Sequence, residues 1–417
     1  MGRLSTVPNE ILLEIFRQAV SPDNYLSSLR KGKSWQTSLL ISHVCSHWRN
    51  LAKKSSALWS VLSISSYSQA PLIPLFSHRS GRRRLRLTLE MPHGVPKEAP
   101  SQRWPQGSVP IERNFAAQIS ELYFMHQMTL YALNITKDAV HLFAPTFISV
   151  TSPRIDLDLP PYISRGRSLQ FWSLNHFRAD PPFPCLEKLS VGHSTNLEIL
   201  ALLCHSAMPM LNSLSLIDLS FVKSGVTASL PQVEYLRLKN CHISFYSVIG
   251  RELLVPNLQR LDIEQTNEHW RLFNESVQAA ETGFHSLLRA ATTIISLNIA
   301  LRRSEIFPVT EALKIAVLPN LRSLSLQSRS LDLGSESVVR EAEASHLDSY
   351  SSPHLGACNI REAVERWAIA PTPASPLLSP PRSGLLERLV LSRSLVGAHG
   401  SWYATHVDTF DIVENLV

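Results

Sequence analysis

Four shortages bound what this chain of 417 residues can be. Cysteine is scarce. Cys45, Cys185, Cys204, Cys241 and Cys358 are an odd, scattered set of 5 with no close pair, so neither a disulfide framework nor a paired-cysteine metal site is expected. Glycine numbers only 15, and no glycine-rich loop follows a strand-like run. Gly32-Lys33-Ser34 looks like the end of a phosphate loop, but the glycine required five positions before Gly32 is Ser27. Long apolar runs are missing as well. The longest, Phe284 to Leu301, is broken by His285, Arg289 and Asn298, whereas a membrane span needs roughly 18 clean apolar residues. The opening Met1-Gly2-Arg3-Leu4-Ser5-Thr6 carries no apolar signal segment, which makes a soluble protein of the cytoplasm or nucleus the expectation, with no membrane partner.

A strong charge of one sign is the fourth absence. Forty Lys and Arg against 34 Asp and Glu leave +6, mild for this length. The densest basic run, His78-Arg79-Ser80-Gly81-Arg82-Arg83-Arg84-Leu85-Arg86, passes into Leu85, Leu87 and Leu89 at period two. Arg84 and Arg86 then belong to the solvated face of a strand, and a nucleic-acid partner is not expected. What the chain does have is core material: 44% hydrophobic against 18% charged residues. That excludes a wholly disordered chain and, at about 150 residues per domain, fits two or three domains or one repeat array.

The first ordered signal is helical. Thr6 is a fair N-cap, Pro8 sits in the first turn, and Ile11, Leu12, Ile15 and Phe16 recur on one face. The pattern breaks at Ser21-Pro22-Asp23-Asn24 and resumes from about Thr37 with Leu39, Leu40, Val44, Trp48 and Leu51 as a second helix. Leu58 and Trp59 follow a short break. In order and spacing, Val7-Pro8-Asn9-Glu10-Ile11-Leu12, Ile15-Phe16, Val44-Cys45-Ser46-His47-Trp48-Arg49-Asn50-Leu51 and Leu58-Trp59 resemble an F-box of the F-box-like form common in fungal proteins, over about residues 4 to 64. Two departures stand out: Val7 replaces the usual leucine before the proline, and residues 21 to 38 are longer than in the shortest members. The resemblance implies docking on the Skp adaptor of cullin-RING ubiquitin ligases. The implied contact set is Pro8, Ile11, Leu12, Ile15, Phe16, Val44, Cys45, Trp48 and Leu51. Read as residues alone, each of these equally suits an internal core position.

Residues 90 to 110 hold five prolines and read as a loop; beyond it a repeat emerges. Its clearest copy, Val233-x-x-Leu236-x-Leu238-x-x-Cys241-x-Ile243, matches the leucine-rich-repeat pattern at every fixed position. The core triplet returns at Leu186-Leu189-Val191, Leu211-Leu214-Leu216, Leu258-Leu261-Ile263, Ile294-Leu297-Ile299, Leu321-Leu324-Leu326 and Leu386-Leu389-Leu391. Weaker copies stand at Ile119-Leu122-Phe124, Phe147-Val150 and Leu169-Trp172-Leu174. A proline precedes most copies by two residues, where a strand is expected to begin, and helical returns are expected at 197–204, 245–254 and 310–317. The 65 residues between Leu324 and Leu389 are rich in Ser, Glu and Pro and read as a disordered insertion at about 330–384, with Thr372, Ser375 and Ser379, each before a proline, as phosphorylation candidates.

The expected fold is therefore α/β: an amino-terminal all-helical F-box module (1–64), a connecting strand and Pro-rich loop (65–118), and a curved leucine-rich-repeat solenoid (119–417). No chemistry is expected. His43 and His47, four apart in the second helix, lack the partners of a zinc site, no nucleophile elbow occurs, and no cofactor, metal or catalytic residue is indicated. The function this implies is a substrate receptor of an SCF-type ligase, binding the Skp adaptor, through it a cullin scaffold, and a target protein of unknown identity. A scaffold that uses the F-box without a ligase is the alternative, and a nucleic-acid binder using Arg82 to Arg86 a less favoured one. Within the clearest repeats the outward positions Tyr235, Arg237, Lys239, Arg260, Asp262 and Glu264 form a mixed-charge strip on neighbouring strands, the candidate target surface.

Overall fold

The computed structural model describes residues 7–20, 34–90, 109–125, 133–136, 138–151, 161–172, 183–193, 208–219, 227–241, 245, 249, 252–265, 282, 284–289, 292–302, 313, 318–329, 360–365, 386–396 and 399–413. The chain divides into two compact units, one of Met1–Glu187 with Ser206–Pro209, the other of Lys188–His205 with Met210–Val417.

The first unit opens with helix α1 (Asn9–Val20). The Pro8 carbonyl accepts the Leu12 amide at 3.1 Å, and Glu10 in the first turn with Arg17 in the last complement the helix dipole. Leu12, Phe16 and Val20, each four apart, are buried. Where one helix is expected from Thr37 through Leu51, the chain forms two: α2 (Ser34–Val44) and α3 (Ser46–Lys54). Cys45 separates them with extended backbone (φ −157°, ψ 170°), and its Sγ accepts the Trp48 amide at 3.4 Å as the N-cap of α3. Arg49 Nε closes the end of α2 by donating to the Ser42 carbonyl at 3.0 Å. A 3-10 turn, Ser56–Trp59, then leads straight into strand β1 (Val61–Ile64), every residue of which is buried.

The strand corrects the expected fold. An all-helical amino-terminal module followed by a curved solenoid does not hold: the protein is mixed α/β, built on thirteen strands of parallel sheet, and the first of them lies inside the segment read as purely helical. Beta-branched Val61 and Ile64 with Leu62 form a fully buried strand that pairs in parallel with β2 (Leu85–Leu89), Leu62 opposite Leu87 and Ile64 opposite Leu89. Helix α4 (Leu72–Ser80) makes the crossover that a parallel pair requires. The strand expected within the connecting segment, Leu85–Leu89, is thus part of the main sheet. The first unit continues with β3 (Val109–Ile111), β4 (Ile119–Phe124), β5 (Leu133–Ile135), β6 (Phe147–Val150) and β7 (Ser168–Phe171). β3 and β5 form a separate small pair, while the main ladder runs β1-β2-β4-β6-β7. In β7 the inward residues are Leu169 and Phe171, and Trp172 is 42% exposed, so the weak copy Leu169-Trp172-Leu174 is out of register. Gly166 holds the place of the missing leading leucine, because a Cβ there would meet Leu169 Cδ2 at 2.8 Å and Ile148 Cδ1 at 3.0 Å.

The second unit carries β8 (Lys188–Gly192), β9 (Ser213–Ile217), β10 (Ala228–Ser229), β11 (Tyr235–Lys239), β12 (Leu253–Leu254), β13 (Arg260–Glu264), β14 (Ser296–Arg302), β15 (Ser323–Arg329), β16 (Arg388–Ser392) and β17 (Thr409–Val413). β10 and β12 pair apart; the others follow in the order β8-β9-β11-β13-β14-β15-β16-β17, and every described pairing is parallel. In register, Leu189, Leu214, Leu236, Leu261, Leu297, Leu324 and Leu389 make one buried row, and Val191, Leu216, Leu238, Ile263, Ile299, Leu326 and Leu391 the next. Burying one leucine this completely contributes about 1.5–3 kcal/mol, so the two rows dominate this core.

Each repeat has a fixed start and stop. Pro184, Pro231, Pro256 and Pro319 lie four residues before their strands, in turns closed by the amides of Leu186, Val233, Leu258 and Leu321 onto the carbonyls of Phe183, Leu230, Val255 and Leu318. Proline therefore takes the second place of a four-residue turn, where its fixed φ is favoured, and not the strand start. At the other end His193, Asp218 and Asn240 turn with φ of 48°, 51° and 51°. Their amides donate to Ile217, Lys239 and Glu264, the last residue of the following strand. Of the expected insertion only 360–365 is described, a helical stretch with Ile360, Ala363 and Val364 buried. Thr372, Ser375, Ser379 and the helical return at 197–204 lie outside the described residues, as do half of the return at 245–254 and all but Leu313 of that at 310–317; Leu253–Leu254, expected to end a helix, form strand β12 instead.

Candidate functional site

Two surfaces follow from this frame, one in each unit. On the first, the nine residues implied as adaptor contacts separate into two groups. Leu12 and Phe16 are 2% exposed and belong to the core. Ile11 and Ile15, each rotated one position from them, are 53% and 54% exposed, and Val44 on α2 is 59% exposed. Pro8 and Cys45 are exposed as well, the latter engaged as the α3 cap. Trp48 and Leu51 are half-buried. The Trp48 ring meets Phe16 edge-on at 4.7 Å and so joins α3 to α1. This explains the Cys-x-x-Trp spacing locally: the cap fixes the amide of the residue whose ring must reach Phe16.

Leu40, 66% exposed, was not among the nine, though it stands four residues before Val44 on the same helix. Its signal was the doublet Leu39-Leu40, one residue more than a single buried stripe requires. Ile11 with Ile15 and Leu40 with Val44 are thus two exposed aliphatic pairs at i, i+4, on helices α1 and α2 that pack together. Beneath them the frame is rigid. Ser38 Oγ donates to the Leu58 carbonyl at 2.6 Å, and the fully buried Trp59 donates from Nε1 to the Ala52 carbonyl at 2.7 Å. The Phe76 ring stands edge-on to Trp59 at 5.2 Å, and the Arg79 guanidinium lies over it at 4.2 Å, its pKa lowered by burial. Since α2 and α3 part at Cys45, His43 and His47 no longer share one helix face.

The basic run on this unit is divided. Arg82, Arg83 and Arg84 are exposed ahead of β2, whereas Arg86 pairs with Glu121 and lies over the Tyr123 ring at 5.0 Å. Burial pushes the Tyr123 phenol up to about 12.

On the second unit β11 and β13 bring the six candidate target residues into direct register, Tyr235 opposite Arg260, Arg237 opposite Asp262 and Lys239 opposite Glu264. Their charges are spent on one another. Tyr235 OH donates to Asp262 Oδ2 at 2.7 Å, and Arg260 grips the same carboxylate through Nη2 and Nε at 2.9 and 3.1 Å. Arg237 Nη2 reaches Glu264 Oε2 at 2.7 Å, with Lys239 Nζ at 4.0 Å from the same atom. The Arg260 guanidinium stacks over Tyr235 at 5.0 Å. Partial burial and the Asp262 carboxylate push the Tyr235 phenol up to about 12, while the hydrogen bond to Glu264 raises Arg237. Asp262 itself is buried, so this network holds two strands in register before it meets any partner. The flanking strands present serine in the same rows: Ser213 and Ser215 on β9, Ser296 on β14, Ser323 and Ser325 on β15. Cys241, fully buried, turns its thiol to the Leu216 carbonyl at 3.4 Å, and burial pushes that thiol up to about 12.

At the strand-start edge of the same unit a groove of about 540 Å³ crosses four repeats, with Glu234, Gln259, Ile295 and Arg322 along it. Among the described residues no group of three or more His, Cys, Asp or Glu is placed to hold a metal ion, and no helix is long and apolar enough to cross a membrane. The chain matches no protein-family model and no curated protein sequence.

Proposed function

We propose that the chain is a substrate receptor of a cullin-RING, SCF-type ubiquitin ligase, docking on the Skp adaptor through α1 and α2 and holding a target protein with the second unit. One observation carries the reading: four large aliphatic side chains, Ile11, Ile15, Leu40 and Val44, stand more than half exposed within the segment that resembles an F-box. Folded surfaces seldom leave two such i, i+4 pairs exposed on helices that pack together without a partner. In this reading the chain performs no chemistry. It raises the effective concentration of a target beside a ubiquitin-charged partner, and the rate gain is one of proximity.

The test is a pull-down from cells of the full chain and of a chain lacking residues 1 to 64, with bound proteins identified by mass spectrometry. The Skp adaptor is expected with the first and not the second; its absence from both refutes the reading. A cullin found with the adaptor supports a ligase, and adaptor without cullin supports a scaffold outside one.

A further inference from the structure

The groove at the strand-start edge of the second unit is a built site. Its floor is a chain of side-chain caps, each repeat bonding to the turn before it. Asn257 Nδ2 donates to the Pro231 carbonyl at 2.7 Å, Thr293 Oγ1 to the Pro256 carbonyl at 3.0 Å, and Asn320 Nδ2 to the Thr292 carbonyl at 3.1 Å. The backbone beneath is tied just as regularly. The Glu234 carbonyl accepts the amides of Gln259 and Arg260, the Gln259 carbonyl those of Ile295 and Ser296, and the Ile295 carbonyl those of Arg322 and Ser323. Such a floor is preformed, so a ligand entering it meets little ordering cost.

Along this floor the side chains change character in a fixed order. Glu234 is exposed, and its carboxylate has no partner among the described residues. Gln259 follows, an exposed amide likewise without a side-chain partner. Ile295 comes next, 38% exposed and the only large aliphatic of the series. Arg322 ends it, paired to Glu387 at 3.3 Å with both side chains more than half exposed, a contact that solvent screens and a competing carboxylate can replace. Each of the four immediately precedes the first residue of its strand, and those first residues pair directly: Tyr235 with Arg260, Arg260 with Ser296, Ser296 with Ser323. Glu234 and Arg322 are therefore three strand spacings apart, about 14 Å at roughly 4.8 Å each.

We propose that this groove holds an extended polypeptide segment that carries a cationic, an aliphatic and an anionic side chain at alternate positions. An extended chain advances about 3.3 Å per residue and points every second side chain to the same face. Positions one and five then lie about 13 Å apart, matching Glu234 and Arg322, and position three falls between Gln259 and Ile295. Asn257, Gln259 and Asn320 line the groove between these anchors and bring amide groups that can pair with a peptide backbone, which favours a polypeptide over a lipid or a nucleic acid. The proposal deepens the reading of the second unit as target-binding and rests on it only in taking the ligand to be a protein segment.

The test uses the full chain and three capped, fluorescently labelled pentapeptides read by anisotropy: lysine-glycine-leucine-glycine-glutamate, the same with lysine at both ends, and the same with glutamate at both ends. The protein is expected to bind the first more tightly than either other by about threefold to fivefold, the scale of one exposed charge pair. Glu234→Lys should transfer the preference to the peptide with two glutamates, and Arg322→Glu to the one with two lysines. Both residues are exposed, so circular dichroism should be unchanged. Equal affinity for all three peptides, a preference that does not follow the substitutions, or no binding at millimolar peptide overturns the proposal. The adaptor takes no part in this assay, so failure here leaves the ligase reading standing, and failure of the pull-down leaves the groove standing.

Discussion

The division of the amino-terminal segment into core and exposed aliphatics predicts opposite outcomes for adjacent residues. Replacing Ile11 and Ile15 together by Asp removes two side chains that are 53% and 54% exposed. The folded protein loses little, because surface substitutions usually stay within about 0.5 kcal/mol and the helix-propensity difference adds a few tenths. The partner loses more. Full burial of an isoleucine contributes about 1.5–3 kcal/mol, and roughly half of that remains to be gained on docking, so the pair withdraws about 1.5–3 kcal/mol, tenfold to a hundredfold in Kd. The carboxylates forced into an apolar contact weaken it further. By contrast Phe16→Ala deletes a ring that is 2% exposed and edge-on to Trp48, which costs about 3–5 kcal/mol of folding stability, with about 0.5–1.5 kcal/mol belonging to the ring pair itself. Urea titration followed by circular dichroism, beside adaptor binding measured on immobilised protein, separates the cases. The reasoning is refuted if the double aspartate variant unfolds as readily as Phe16→Ala, or if it stays folded and binds the adaptor with unchanged affinity.

Trp59→Phe removes the indole N–H that the Ala52 carbonyl accepts at 2.7 Å and leaves that carbonyl only the Ser55 amide at 3.2 Å, so stability in urea titration should fall by about 0.5–1.5 kcal/mol; a loss near zero would mean that the Ser55 amide satisfies the carbonyl alone. Tyr235, with its phenol raised from 10 to about 12, contributes stability that is intact below pH 10 and lost as pH climbs toward 12, so the alkaline limb of a stability profile should move toward lower steepness in Tyr235→Phe. Phenolate absorbance that rises at the ordinary pH for Tyr235 would contradict the buried hydrogen bond to Asp262. Mass-spectrometric mapping after brief treatment with a thiol reagent should find Cys45 and Cys185 modified and Cys241 protected until denaturant is added.

The repeated strands were legible because their signal is doubled: leucine at period two within a strand, and the whole triplet returning at each repeat. Leu189, Leu214, Leu236, Leu261, Leu297, Leu324 and Leu389 could be aligned from spacing alone, and the paired register of β11 with β13 followed from them. The signal failed where a repeat lost its leading leucine. Gly166 stands there two residues before β7, and the pattern fits again only three residues on, at Leu169-Trp172-Leu174, where Trp172 is exposed. It failed also at both ends of the series. Val61–Ile64 is too short and too uniformly apolar to alternate, and in a fully buried parallel strand nothing requires it to, so it was read as the tail of a helical segment. Thr409–Val413 offers Phe410 and Ile412 but no leucine, so it carries no triplet that matches the repeat.

The candidate surfaces were legible to a different depth, for a reason that lies in geometry. An apolar stripe on a helix says which residues avoid water, not which of two neighbours faces the core. Ile11 and Leu12 differ by about 100° around α1, and only the packing of α1 against α2, the Ser56–Trp59 turn and α3, where Trp48 meets Phe16, turns Leu12 and Phe16 inward. On a strand the alternation leaves no such freedom, so the outward set Tyr235, Arg237, Lys239, Arg260, Asp262 and Glu264 could be named in advance. What alternation cannot supply is whether outward charges remain available. In parallel register Arg237 lies opposite Asp262 and beside Glu264, and a guanidinium with a carboxylate at 2.7 Å is largely committed to its own sheet. A partner that competes for these groups must first break the cross-strand network, whereas Glu234 and Gln259, one residue before the strands begin, carry no such obligation. Charge available for recognition therefore gathers at the strand-start edge, where the pairing that neutralises the sheet face has not yet begun.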